Sequence, residues 1–281
     1  MLLGNTESQI VQYPYYNLSR EFYDKLKGHA VIGVITLIGE EIIGIEQAPA
    51  LTHLSKYSPR QELCETQKLW RYIELFKLED MLLNSQLYFT RIDRFKDNLE
   101  GVSPESCLEA IRLNNQDNGK LEEQIKLFTR RTKVNRQNSF VCCWHVNDNL
   151  NKKMWNEYGG FSSHSVAIET TVGNLKNCFI DKYLPVVFEK IRYYDEPFYN
   201  QETHWFPSLF KTRKFEFENE YRSAIYADNP ENVEFIKPRI RAGKLINKIY
   251  LHPNVEELFV KKVNHLVKVR GFDIPIIKAS I

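Results

Sequence analysis

Apolar and polar positions along the chain alternate between two rhythms. In the first 65 residues the runs VIGVITL and IIGIE, separated by GEE, predict two β-branched strands around a tight turn. The polar stretch HLSKYSPRQELCETQK beyond them resembles a connector, with a soft boundary near Thr66. From Lys68 onward LWRYI predicts a strand, LEDMLLN a helix within Leu75 to Asn84, and QLYFTR a strand. A polar turn, IDRFKDNLEGVSPES, leads into helices that end at about Arg136, the last of them, 118–136, heavily charged. SFVCCWH then reads as a buried strand, NKKMWNEY as a short helix, SVAIETT as a strand and VGNLKNCF as a helix. FEKIRYYD and KFEFENEYRSAIY read as strands, as do NKIYLHP and DIPIIKA, with a helix from Val255 to about Val269 between the last two.

Strands mixed with helices, without regular βαβ spacing, predict an α+β fold: a mixed, mainly antiparallel sheet with flanking helices, plus a small N-terminal β-hairpin extension. Residues 1–66 form the extension in this reading, and 67–281 the α+β domain.

The segment FEFENEYRSAIYA carries the most unusual pattern. With a period of two, Glu216, Glu218, Glu220, Arg222, Ala224 and Tyr226 share one face, and Phe215, Phe217, Asn219, Tyr221, Ser223 and Ile225 the other. Its bland interpretation is a half-buried strand with a solvated acidic face. Helical spacing of Phe217, Tyr221, Ala224 and Ile225 leaves a helix open, although the aromatic content favours a strand. Two strand carboxylates ~7 Å apart repel by roughly 2 kcal/mol at an effective dielectric of ~20, so a neighbouring cation such as Arg222 would keep both ionised.

Composition narrows the classes of function. With 281 residues and 43% hydrophobic content the chain can bury a sizeable core without disulfide staples. Lys and Arg number 38 against 36 acids, a net charge of +2, so any polyanion site must be local. Five cysteines with only Cys142 and Cys143 close together predict reduced thiols. The run AVIGVITLIG is too short to span a bilayer, and the chain start lacks a basic export signal, so the expected location is the cytoplasm.

Several segments together resemble a bacterial family of unknown function, domain family 2971: LWRYI, LYFTRIDRFKDNLEG, CCWHVNDNLNKKMWNEYGGFSSHSVAIETT, KTRKFEFENEYR and NKIYLHP. Their order covers about 210 residues from Lys68. The family's usual Asp-Pro-Phe-Glu-Gly turn is Asp97-Asn98-Leu99-Glu100-Gly101 here, and a glycine before its Val-Ala-Ile strand is Ser165. The chain is also similar in architecture to ADP-ribosyltransferases. That similarity implies NAD as substrate, Arg71 on an early strand as the diphosphate ligand, and Glu218-Asn219-Glu220 as the catalytic pair. Glu220 would stabilise the charged ribose and Glu218 serve the acceptor, itself a protein or nucleic acid. Arg222 and Lys211 would help bind the nucleotide, with no metal. Trp155 and Tyr158, three apart on a helix that Gly159-Gly160 ends, would form an aromatic platform for nicotinamide or adenine. By analogy such a protein would serve as a defence or toxin effector.

Three alternatives stay open. Asp93, Asp97 and Glu100 with Glu218 and Glu220 could ligate magnesium for phosphodiester cleavage, Lys211, Arg213 and Lys214 holding phosphate. Cys143 and His145 could share a strand face as a nucleophile and base, whereas zinc at Cys142, Cys143, His145 and His164 lacks the usual ligand spacing. Finally, the acidic strand and the basic KTRK segment could bind a nucleotide or a protein without catalysis.

Overall fold

A computed structural model of the chain describes residues 9–11, 33–38, 41–47, 63–97, 100–101, 108, 112, 118–159, 164–181, 184, 186–194, 207–227 and 232–280. The N-terminal strands are β1 (Gln9–Val11), β2 (Gly33–Ile38) and β3 (Glu41–Gln47), in the antiparallel order β1-β2-β3. The expected hairpin is thus present as β2 and β3, with a bulge between Thr36 and Leu37 and one further strand on its edge.

The main body contains β4 (Lys68–Glu74), α1 (Leu75–Asn84), β5 (Phe89–Arg91), α2 (Asn118–Gln137), β6 (Ser139–Val146), α3 (Lys152–Tyr158), β7 (Ser165–Thr171) and α4 (Val172–Asn177). It continues through β8 (Val186–Lys190), β9 (Arg192–Tyr194), β10 (Phe210–Thr212), β11 (Glu220–Tyr226), β12 (Phe235–Ile236), α5 (Ala242–Leu245), β13 (Lys248–Leu251), α6 (Glu257–Val269) and β14 (Ile276–Lys278). Nine strands form one sheet, antiparallel except where β13 meets β14, and β9 and β10 pair separately in parallel. The α+β architecture with a mainly antiparallel sheet is therefore the observed one. Among the described residues no helix is long and apolar enough to cross a membrane.

Strand β6 is the hub. One edge pairs along its length with β11, from Glu220 opposite His145 to Tyr226 opposite Ser139. The other edge is shared: β4 takes one end, with Trp70 opposite His145, and β5 takes the other, with Thr90 opposite Val141. Because side chains alternate across a strand, this register sorts them onto two faces. Leu69, Ile73, Phe140, Trp144, Val166 and Ile168 point to the face covered by α1, α4, α5 and α6, where the largest apolar core forms. Trp70, Tyr72 and Ala167 point the other way and pack with Met154 and Trp155 of α3.

Two expected strands differ in extent. β11 starts only at Glu220, because Arg213–Glu218 is a 3-10 helix and Asn219 takes a left-handed φ of 38°. Asparagine tolerates that conformation, and here its side-chain Nδ2 donates to the Val146 carbonyl at 2.6 Å. The alternation of Phe215 through Glu218 belongs to that tight helix, so the single acidic strand face does not exist. FEKIRYYD is likewise split at Ile191, whose N–H turns to the Glu220 carbonyl at 2.8 Å.

Trp155 is 1% exposed, donates Nε1 to Ser165 Oγ at 2.8 Å and meets the Tyr72 ring edge-on at 5.6 Å. Gly159 permits this packing, since a Cβ there would lie 2.5 Å from Trp155 Cδ1 and 2.9 Å from Ser165 Oγ. Gly159→Ala should therefore cost roughly 1–3 kcal/mol. A urea titration reads this as a lower midpoint with an unchanged slope, and an unchanged midpoint would show that the indole has room to shift.

Candidate active site

Arg222 sits on the α3 side of the sheet with no exposed surface, opposite Cys143 on β6 and Glu189 on β8. A guanidinium in that position must find partners for its donors. Nε donates to Glu220 Oε1 at 2.5 Å, and Nη2 to Glu220 Oε2 at 3.0 Å and Glu100 Oε1 at 2.6 Å. Nη1 donates to the Ser208 carbonyl at 2.5 Å.

Glu100 reaches this point from the loop between β5 and α2. Its N–H donates to the Asp97 carbonyl at 3.0 Å, and Gly101 follows with a φ of 68°, a turn that a residue with a Cβ would resist. Arg136 Nε holds the Glu100 carbonyl at 3.0 Å, so α2 anchors the loop.

Lys211 of β10 supplies the second cation. Its Nζ lies 2.5 Å from Glu218 Oε2, 3.2 Å from Glu100 Oε2 and 3.5 Å from Glu220 Oε2. The remaining oxygen of Glu218 accepts from the Tyr158 hydroxyl, and the Glu220 N–H donates to the Tyr193 hydroxyl at 2.8 Å. Three carboxylates face two cations, leaving one negative charge in a buried cluster.

The two neighbouring glutamates respond in opposite directions. Burial pushes the Glu220 carboxyl up, but Arg222 and Lys211 outweigh it and bring it down to about 2. Burial pushes Glu218 up too, and there Lys211 does not reverse the effect, with the charge of Glu220 adding to the rise. Lys211 loses to burial and gains more from Glu220 and Glu100, so its ammonium is held above its ordinary range. Glu218 is therefore the member that takes a proton most readily, and Glu220 is a fixed anion.

Glu218 and Glu220 are both buried, at 3% and 4% exposure, and differ in what covers them. Tyr158, which closes on Glu218, is 46% exposed, so Glu218 lies one side chain from solvent. Of the two cations paired with Glu220, Arg222 has no exposed side-chain surface and Lys211 has 10%.

The structure brings Glu218, Glu220, Arg222, Lys211 and Tyr158 together, and it separates two other expected members. Arg71 faces the opposite side of the sheet, because it pairs opposite Ile168 while its neighbour Trp70 shares a face with His145 and Glu220. There it spans the gap where β4 and β5 diverge along β6, donating to Cys142 Sγ at 2.7 Å and the Tyr88 carbonyl at 3.3 Å. Its guanidinium is thus turned away from Glu220. Trp155 is likewise no open platform, being enclosed by Tyr72, Ser165 and His252. Gly159 approaches that indole, and Gly160 lies outside the described residues.

Glu100 and Asp93, which the sequence offered together as alternative magnesium ligands, take different partners. Asp93 instead pairs with Arg91 at 2.7 Å, and Glu100 with Arg222 and Lys211. Among the described residues no three His, Cys, Asp or Glu side chains converge as a metal would require. The Glu100-Gly101 pair was the available signal, since a glycine directly after an acid marks a turn that can bury it. Cys143 and His145 do share the Glu220 face, but burial and Glu220 hold the thiol far up, which disfavours the thiolate a nucleophile needs, and burial lowers the imidazole. Cys142 faces away and His164 packs on Phe259 of α6, which removes the zinc set.

No family model and no curated protein matches the chain. Two solved structures are similar at 12% identity and a TM-score of 0.34, each covering 78% of this chain and 97% of the other. They are Thermus sp. 2.9 DarT in complex with carba-NAD+ and the same protein in complex with ADP-ribosylated single-stranded DNA. A likeness this remote carries no argument about the site, whose chemistry is read from its own geometry.

The opposed glutamates set a pH dependence. Glu220, depressed from 4.5 to about 2, contributes stability above pH 4.5 that is lost as the pH falls to about 2. Glu218, raised, contributes with the opposite sign, favouring the folded state below its ordinary value and less as the pH rises through its folded value. Between pH 4.5 and 2 the acid loss of stability should be shallower in Glu220→Gln than in the wild type, by about 3 kcal/mol at most. Urea unfolding at stepped pH measures it, and parallel curves would contradict the assignment.

Proposed function

We propose that the chain uses NAD, breaking the bond between nicotinamide and ribose at Glu218 and passing ADP-ribose to water or to an acceptor. The observation that carries this reading is the pairing of a fixed buried anion, Glu220, with a more basic carboxylate, Glu218, whose partner Tyr158 is half-exposed. Carboxylates driven apart in proton affinity mark an assignment of separate chemical tasks.

The cluster also narrows the leaving group. The carboxylates of the cluster keep Arg222 and Lys211 charged against the cost of burial, and burial together with Glu218 makes the Tyr158 proton hard to remove. None of these three is a good general acid, and this reading uses Glu218 in its ionised form, as the base. A leaving group that departs neutral without gaining a proton suits such a site, and the pyridinium of NAD is one: its bond electrons neutralise the ring nitrogen as it leaves. Positive charge then builds on the ribose, and a carboxylate held in a low-dielectric wall stabilises it. When water attacks the ribose C1′, its proton passes to Glu218 and on to solvent, giving ADP-ribose and nicotinamide.

The roles expected of the two glutamates are exchanged in this reading. Glu220 is committed to Arg222 and Lys211, and Glu218 meets the ribose after Tyr158 swings aside. Transfer to a protein or nucleic-acid acceptor would use the same step with a different nucleophile.

Nicotinamide release from NAD by the purified chain tests the proposal. Glu218→Gln should lower kcat by about 10²–10³-fold while the fold and ADP-ribose binding survive. Full turnover in folded Glu218→Gln would remove Glu218 from the chemistry, and no turnover by the wild type on NAD with water or any acceptor would remove the reading.

A further inference from the structure

With Arg71 on the far face, the proposed site lacks the cation expected to hold phosphate, and the rim of the cluster offers two others. Lys153, on the same helix as Tyr158, places Nζ 3.6 Å from the centre of the Phe217 ring. Lys214, on the 3-10 helix, places Nζ 4.7 Å from the Phe215 ring, which also lies 4.6 Å from Lys211 Nζ. Phe215 and Phe217 belong to the same short helix as Glu218, so both lysines attach to the cluster through one rigid turn.

Both lysines are exposed, and neither pairs with a carboxylate among the described residues. Glu216, the exposed acid of that turn, is taken by Arg213 at 3.1 Å. An aromatic ring beneath each ammonium limits its range without neutralising it. The pair thus places two exposed positive charges on rings of the short helix that also carries Glu218.

We infer that Lys153 and Lys214 hold the diphosphate of a nucleotide substrate whose ribose faces Glu218. The inference rests on the proposed NAD chemistry for the direction of the substrate, but not for the binding itself. A diphosphate carries its charge over several exposed oxygens and suits two separated ammonium groups.

Isothermal titration of the full chain with ADP-ribose tests this, with Lys152→Ala as the control on the same exposed turn of α3. Each of Lys153→Ala and Lys214→Ala should weaken binding about tenfold, the loss expected when one charged hydrogen bond is removed. Lys152→Ala should leave it unchanged, and rising salt should weaken the wild type more than the double variant. Wild-type affinity in the folded double variant would overturn the inference, as would absence of ADP-ribose binding by the wild type. The two readings fail separately. Lysine-dependent binding without nicotinamide release sinks only the cleavage chemistry, and cleavage with an unchanged KM in the double variant sinks only the lysine assignment.

Discussion

Arg222 is a permanent charge with no exposed surface, on a strand paired on both sides by β6 and β8, and the surrounding structure is shaped by having to neutralise it. Breaking such a buried pair by removing one partner typically costs about 3–5 kcal/mol. Segments far apart in sequence are therefore drawn to one point. The β5–α2 loop brings Glu100, β10 brings Lys211, and the stretch before β10 brings the Ser208 carbonyl. These segments contribute little regular structure to the main sheet, and the ion cluster fixes them together with the burial of Leu209 and Phe210 in the core.

The cluster differs from a purely structural ion network in its imbalance. A network built only to satisfy Arg222 needs one carboxylate pair and no more, yet here a third carboxylate, Glu218, is added with only Lys211 to share. Its position is set by the left-handed turn at Asn219, which breaks the strand and places Glu218 beside Lys211 and Tyr158. A continuous strand would have put Glu218 in line with Glu220 and opened both to the same surroundings. The kink makes the two unequal.

Much of the fold was legible because it is written in local periodicity. The helices at Leu75–Asn84, Asn118–Gln137 and Glu257–Val269 and the strands SFVCCWH and SVAIETT stand where their apolar spacing places them. The candidate site was legible in membership more than in arrangement. Glu218, Glu220, Arg222, Lys211 and Tyr158 meet, but period-two alternation cannot reveal that a 3-10 turn precedes β11. Nor can any single strand show which way Arg71 faces, since that depends on the register of β4 against β6 and β7. Trp155 illustrates the same limit: a tryptophan and a tyrosine three apart share a helix face, and only the packing on Tyr72 and Ser165 shows that one is enclosed and the other open.

The inequality of the two glutamates is the claim on which the functional account turns, and carboxyl carbon-13 NMR through an acid titration observes it directly. Assigned through Glu218→Gln and Glu220→Gln, the wild-type signals should titrate in a fixed order. Glu218 should gain its proton above the ordinary value of 4.5, and Glu220 should stay ionised until the pH nears about 2. The reverse order, or two signals moving together near the ordinary carboxylate value, would contradict the account.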